Sequence, residues 1–176
     1  MSELRKANTE SCYFITCSVV GWIDVFTRSI YSDIILDSFK FCRENKGLEI
    51  FGFVIMPSHI HFIARNIEGK LPAILRDFKA QTARQILKTI ETENKESRKE
   101  WPVHMFSYFV KHQAQNEKYQ FWQRPNHPVE LYSAKIFDQK MEYIHLNPVE
   151  AGYVNLAEDW AYSSANPFCE FKVDGN

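Results

Sequence analysis

The spacing of apolar and polar positions changes several times along this chain, and each change marks an element. Cys12-Tyr13-Phe14-Ile15-Thr16-Cys17-Ser18-Val19-Val20 is dense in β-branched and aromatic residues and predicts a strand. From Ser32 to Asn45 the period lengthens: Ile34, Ile35, Phe39 and Phe41 or Cys42 fall near helical spacing, and Asn45-Lys46-Gly47 supplies a stop. Leu48 to Met56 predicts a second strand, closed by Pro57-Ser58. His59 to Ala64 is short and alternating, a third strand paired to the second through a tight turn. Leu71 to Thr92 places Leu71, Ile74, Leu75, Phe78, Thr82, Ile86 and Ile90 on the stripe of an amphipathic helix. Arg76, Lys79, Arg84 and Lys88 fall off that stripe and form a basic flank.

Glu91 to Glu100 is a charged link, and Trp101 to Gln123 is aromatic-rich without a clean period. Within it, Lys118 to Gln123 offers a fourth strand. A last helix is expected from Ser133 to Asn147, stopped by Pro148. Beyond Gly152 the chain reads as loops whose aromatics pack back on the body. The order strand, helix, strand, strand, helix, strand is the split βαβ pattern. The expected fold class is therefore α+β: a ferredoxin-like βαββαβ sandwich, an antiparallel sheet with helices on one face, plus a C-terminal helix carrying Tyr143.

Composition narrows the setting. The 176 residues, 45% hydrophobic and 24% charged, fit a single domain over 1–176 with its core at about 10–168. No secretory pattern follows Met1, and no apolar run approaches the ~20 residues that cross a bilayer. A cytoplasmic, nucleoid-associated protein is expected. Cysteines 12, 17, 42 and 169 form no CxxC pair and read as reduced and structural.

The net charge of −1 does not advertise a polyanion partner. Its distribution says more. Residues 1–64 hold 6 basic and 7 acidic side chains, 65–124 hold 12 and 7, and 125–176 hold 3 and 8. A positive middle third offers a lining for a nucleic-acid groove; chance segregation on a mixed surface is the other reading, and charge alone does not choose. Lys79 and Arg84 on the basic flank, with Arg124 and Lys140, are the candidate DNA contacts.

Two segments carry chemistry. In a strand, residues i and i+2 share a face, so His59 and His61 project together while Ile60 enters the other side. Two neutral imidazoles so placed suit a shared divalent metal. In the last helix Tyr143 and Asn147 are one turn apart on one face, Lys140 lies on the Tyr143 side, and Phe137, Met141 and Ile144 occupy a different, apolar face. Alone, this pair reads as an edge tyrosine and a helix-ending asparagine. Together with the histidines it makes a site in which a tyrosine attacks a phosphodiester beside a metal.

At this point the chain resembles a known family. Met56-Pro57-Ser58-His59-Ile60-His61-Phe62-Ile63 is similar to the "MPNHVHLL"-like segment of the single-strand DNA tyrosine transposases, of the HUH (His-hydrophobic-His) superfamily. Tyr143-Ile144-His145-Leu146-Asn147-Pro148-Val149-Glu150-Ala151-Gly152 resembles the "YIHxNPVxAGxV" segment of its REP-associated branch. Asp159-Trp160-Ala161-Tyr162-Ser163-Ser164-Ala165 looks like its closing "DYPWSSA" element. The likeness spans roughly residues 10–168, in the family's order and spacing. Ser58 stands where Asn is usual, Ala161-Tyr162 replaces Pro-Trp, and Leu146 and Glu150 replace frequent Asn and Lys or Arg.

The resemblance implies that His59 and His61 are metal ligands, that Asn147 supplies the third ligand, and that Tyr143 becomes linked to a 5′ phosphate while a 3′ hydroxyl is released. It implies magnesium or manganese as cofactor and imperfect hairpins in single-stranded DNA as substrate, cut near the hairpin foot. A homodimer is implied by the insertion-sequence branch and a monomer by the REP-associated one. The expected function is a DNA transposase and endonuclease. A non-catalytic or domesticated hairpin-binding protein on the same fold is the alternative, and a metal-dependent hydrolase of small substrates is a third reading that leaves Tyr143 and Asn147 idle. His145, about 200° round the helix from Tyr143, is expected to face away. His104, His112 and His127 read as surface or packed residues. Trp101, Tyr119 and Trp122 are candidates either for stacking on unpaired bases or for the core.

Overall fold

The computed structural model describes residues 11–92, 106, 120–124 and 128–175. Its sheet is built round β1 (Cys12–Ser18) and β3 (His59–Arg65), with β2 (Glu49–Met56) and the short β4 (Val129–Leu131) at the edges, in the order β2-β3-β1-β4. Every pairing is antiparallel. Burial of both faces explains why β1, β2 and β3 read as almost unbroken apolar runs. Ile15, Cys17, Ile50, Phe53, Ile55, Ile60, Phe62 and Ala64 join one core, whereas Phe14, Val54, Met56 and Ile63 join another. These sets alternate along β1 and β3 as the period of two requires, and in β2 the irregularity between Ile50 and Gly52 shifts the alternation by one residue.

Helices α1 (Ser29–Lys46) and α2 (Leu71–Thr92) close the first core. The residues that α2 buries are the seven of its sequence stripe, Leu71 to Ile90. α1 starts three residues earlier than its pattern predicts and ends on Gly47 in the left-handed region, φ +62, which a residue without Cβ adopts freely. The expected α+β, ferredoxin-like architecture is the one observed, with α1 and α2 on one face. α3 (Ala134–Glu150) lies over the second face, its Ile144 fully buried in that smaller core.

Two elements differ from expectation. Among the described residues the fourth strand is Val129–Leu131, paired with Cys12–Phe14; of the expected strand Lys118–Gln123, residues 118 and 119 lie outside the described residues. The described part of that segment, from Gln120, makes one isolated bridge, Trp122 to Val19, beyond the end of β1. Phe121 and Trp122 are apolar because they plug the core, not because they alternate in a sheet. The second difference is that α3 runs through Pro148 to Glu150. Proline removes one amide donor, but the next turn closes through the Ala151 amide on the Asn147 carbonyl at 3.0 Å and the Tyr153 amide on the Pro148 carbonyl at 2.9 Å.

The tail returns along β2, as its aromatics suggest. The Ile55 amide donates to the Tyr162 carbonyl and the Ser164 amide to the Phe53 carbonyl, both at 2.9 Å, which covers the free edge of β2. Trp160 Nε1 donates to the Ile55 carbonyl at 2.9 Å. Cys17, Cys42 and Cys169 are buried and Cys12 half-buried, all as free thiols. Among the described residues no helix is long and apolar enough to cross a membrane.

Candidate active site

The two-residue turn at Pro57-Ser58 sets the register of β3 on β2, pairing His59 with Met56 and His61 with Val54; on the other side His59 pairs with Ser18 and His61 with Thr16. Both imidazoles then point to the face that α3 covers, and Ile60 enters the opposite core. Their ring centroids lie 4.8 Å apart, at 73° to one another. Thr16 Oγ1 and His61 Nδ1 are 2.8 Å apart, which occupies that nitrogen and leaves Nε2 for another partner. Ser58 Oγ lies 3.3 Å from His59 Nδ1.

α3 supplies the other wall. It packs Met141 directly on Gly52, where an added Cβ would collide with the methionine's Sδ, so the thioether would have to move aside for any side chain there. The same helix brings Tyr143 over the histidines: its ring centroid is 5.3 Å from His61 and 5.9 Å from Phe14. One turn on, the Asn147 side chain lines the same cavity beside His59, near enough to oppose the lowering of its pKa. Lys140, one turn back, holds Nζ 4.6 Å from the Phe14 ring centre and 5.4 Å from that of Tyr143. His59, His61, Tyr143, Asn147 and Thr16 line one open cavity of about 500 Å³.

The electrostatics follow from burial. His61 is 6% exposed, and burial, then the nearby His59 and Lys140, push its pKa down to about 3. Burial also lowers His59, opposed by the Asn147 side chain. Both imidazoles are therefore neutral at neutral pH, the form that binds a metal. Among the described residues no group of three or more His, Cys, Asp and Glu is placed to hold a metal. The Asn147 amide oxygen, which lines the same cavity, is a neutral third donor that a divalent ion at the histidine pair could use. This donor set fits an ion that also keeps open positions for a phosphate.

The remaining candidates separate. Lys79, Arg84 and Arg124 line, with Arg76, a different groove of about 700 Å³ between α2 and the Gln120–Arg124 segment. Lys79 Nζ donates to the Gln123 carbonyl at 3.0 Å, and the Gln123 amide donates to the Ser18 carbonyl at 2.8 Å. The groove therefore starts beside the strand end at which the histidines begin. Lys140 alone of the four stands at the tyrosine. His145 turns away, as expected, to a 2.9 Å contact with Ser164 Oγ. Trp122 is core, 4% exposed, with Nε1 donating to Thr82 Oγ1 at 3.1 Å. His104, His112, His127, Trp101 and Tyr119 lie outside the described residues.

Sequence reasoning missed Thr16, Phe14, Trp22 and Tyr153, which touch or line this cavity. Thr16 had a signal, a polar residue at the centre of an apolar strand. The others are aromatics in an aromatic-rich chain and carry none.

No family model matches the chain. It is 27% identical over 173 residues to a protein of Haemophilus influenzae that carries the name REP-associated tyrosine transposase, covering 93% of this chain and 85% of that one. Among solved structures it is similar to a REP-associated tyrosine transposase bound to a REP hairpin, with a TM-score of 0.62 and 19% identity over 93% of this chain and 82% of that one. The likeness carried by three short motifs thus extends over nearly the whole molecule: this chain is similar in sequence to a REP-associated tyrosine transposase and shares the fold of one.

Proposed function

We propose that this chain is a metal-dependent single-strand DNA endonuclease and strand transferase, a transposase that cuts and rejoins near hairpins through a 5′-phosphotyrosine intermediate. The observation that carries the reading is one juxtaposition. Tyr143 and Asn147, one turn apart on α3, meet His59 and His61 of β3 in a single open cavity. A strand and a helix carry all four, so a phosphate seated on the histidines lies next to the Tyr143 side chain.

In the first step Tyr143 Oη, giving up its proton to solvent, attacks phosphorus. The Oη–P bond forms, the P–O3′ bond breaks, and the departing 3′ oxygen takes up a proton. Reversal with a different 3′ hydroxyl rejoins the strand. Lys140 brings positive charge to the tyrosine's side of the cavity. His59, His61 and Asn147 would hold magnesium or manganese, which when bound supplies charge stabilisation and in-line orientation of the phosphate. The groove of Arg76, Lys79, Arg84 and Arg124 offers a path for the strand's phosphates. The name of the Haemophilus relative and the hairpin bound by the solved neighbour support a hairpin substrate.

The test is a denaturing-gel assay with labelled hairpins from the DNA flanking the gene. A protein–DNA adduct should form with manganese, and be absent with EDTA or in Tyr143→Phe. Binding without any adduct in saturating manganese would instead identify a non-catalytic hairpin binder.

A further inference from the structure

The mouth of the cavity carries a large ring that the chemistry above leaves unused. Trp22 lines the cavity yet is 60% exposed. It is also the one non-glycine residue with positive φ among those described, at +54°. That region costs a Cβ-bearing residue free energy, and such cost persists where the surroundings enforce it and function uses it.

The surroundings here are explicit. Val20 and Ile23 on either side are 4% and 5% exposed, so both anchor in the core. Gly21 and Trp22 bulge out between them, and the Trp22 amide donates to the Val19 carbonyl at 3.1 Å. The Val19 amide in turn donates to the Ser58 carbonyl at 2.8 Å, one residue before His59. The indole is thereby fixed to the same turn that places the histidines. Its centroid is 5.6 Å from that of His59, with the rings at 77°, and no other ring among the described residues stacks on it. Tyr153, 54% exposed, lines the same cavity with its ring tilted at 39° on Trp160.

We propose that Trp22 is the stacking platform for an unpaired nucleobase adjacent to the scissile phosphodiester, a subsite that rests on the DNA-cleaving reading above. A single strand presents unstacked bases beside every phosphate. A phosphate held at the histidine pair brings its neighbouring base to the indole, whose face accepts any base without sequence preference. Trp22 therefore positions the strand, while Tyr143 performs the attack.

The experiment uses flanking-DNA hairpins with 2-aminopurine at each unpaired position of the hairpin foot in turn, bound in manganese, with Tyr143→Phe in every protein to prevent cleavage, to protein that is wild type at Trp22, Trp22→Ala or Trp22→Phe. Wild type should quench the probe at one position. Trp22→Ala should lose that quenching and bind roughly tenfold more weakly, while Trp22→Phe recovers most of both. The salt dependence of binding should be the same for all three, because no phosphate contact is removed. Wild-type affinity and quenching in Trp22→Ala would overturn the proposal and leave the cleavage reading intact. So would a Trp22-dependent self-association on sizing chromatography with DNA binding unaffected. A wild-type protein that binds no hairpin overturns this proposal together with the reading it rests on.

Discussion

The two faces of the sheet are built to different standards. Under α1 and α2, thirty-one of the described residues form one buried apolar cluster, with Phe39 stacked on Phe78 and set against Phe53, Phe62 and Phe171. Under α3 the buried apolar cluster has six, edged by partly buried Phe51, Phe137, Met141 and Trp160, and the same face also carries His59, His61, Tyr143, Asn147 and Lys140. The first face holds the fold and the second exposes polar groups to a ligand. α3 can be spared from the main core because the sheet is already covered on its other side. It needs only enough apolar contact to fix its height over β2, part of it the Met141 thioether seated on the bare backbone at Gly52.

Substitutions on the two faces should therefore separate stability from activity. The largest effect is expected at Phe39→Ala, where an almost fully buried ring leaves a cavity. Unfolding in urea should show a loss of about 3–5 kcal/mol, and activity should fall only as far as the protein unfolds. Gly52→Ala comes next, overpacking α3 against β2 at a cost of about 1–3 kcal/mol. Its adduct yield should fall further than its stability does, because the tyrosine moves, and Met141→Ala in the same chain should restore much of the yield. The smallest structural change is Thr16→Val, which removes the hydrogen bond to His61 Nδ1. Melting temperature should hardly move, while manganese affinity by calorimetry should drop by roughly 10–100-fold. Equal losses of stability and activity across all three would erase the distinction between the faces.

What the sequence disclosed follows the same division. The α2 stripe was legible residue by residue because one wall of apolar contact imposes one period. The HxH pair was legible because strand alternation is strict and histidine is conspicuous inside an apolar run. The joining of Tyr143 and Asn147 to that pair was legible only as matching chemistry and as a likeness to a family, since it depends on how α3 docks across a distant strand. β4 escaped because three residues carry too little pattern. Trp122 invited a stacking role that burial denies, and Trp22 gave no sign of exposure, because its position follows from two anchored neighbours and not from any periodicity.

The most direct test of the central claim is to find which atom carries the DNA. After reaction with manganese and a flanking hairpin, trypsin should release the segment from Met141 to Lys172, which contains Tyr143, Tyr153 and Tyr162. Fragmentation in a mass spectrometer then assigns the added nucleotide. The account predicts a 5′-phosphate linkage on Tyr143, absent in Tyr143→Phe. A linkage on another residue, or cleavage that leaves no covalent trace on the protein at any time, would contradict it.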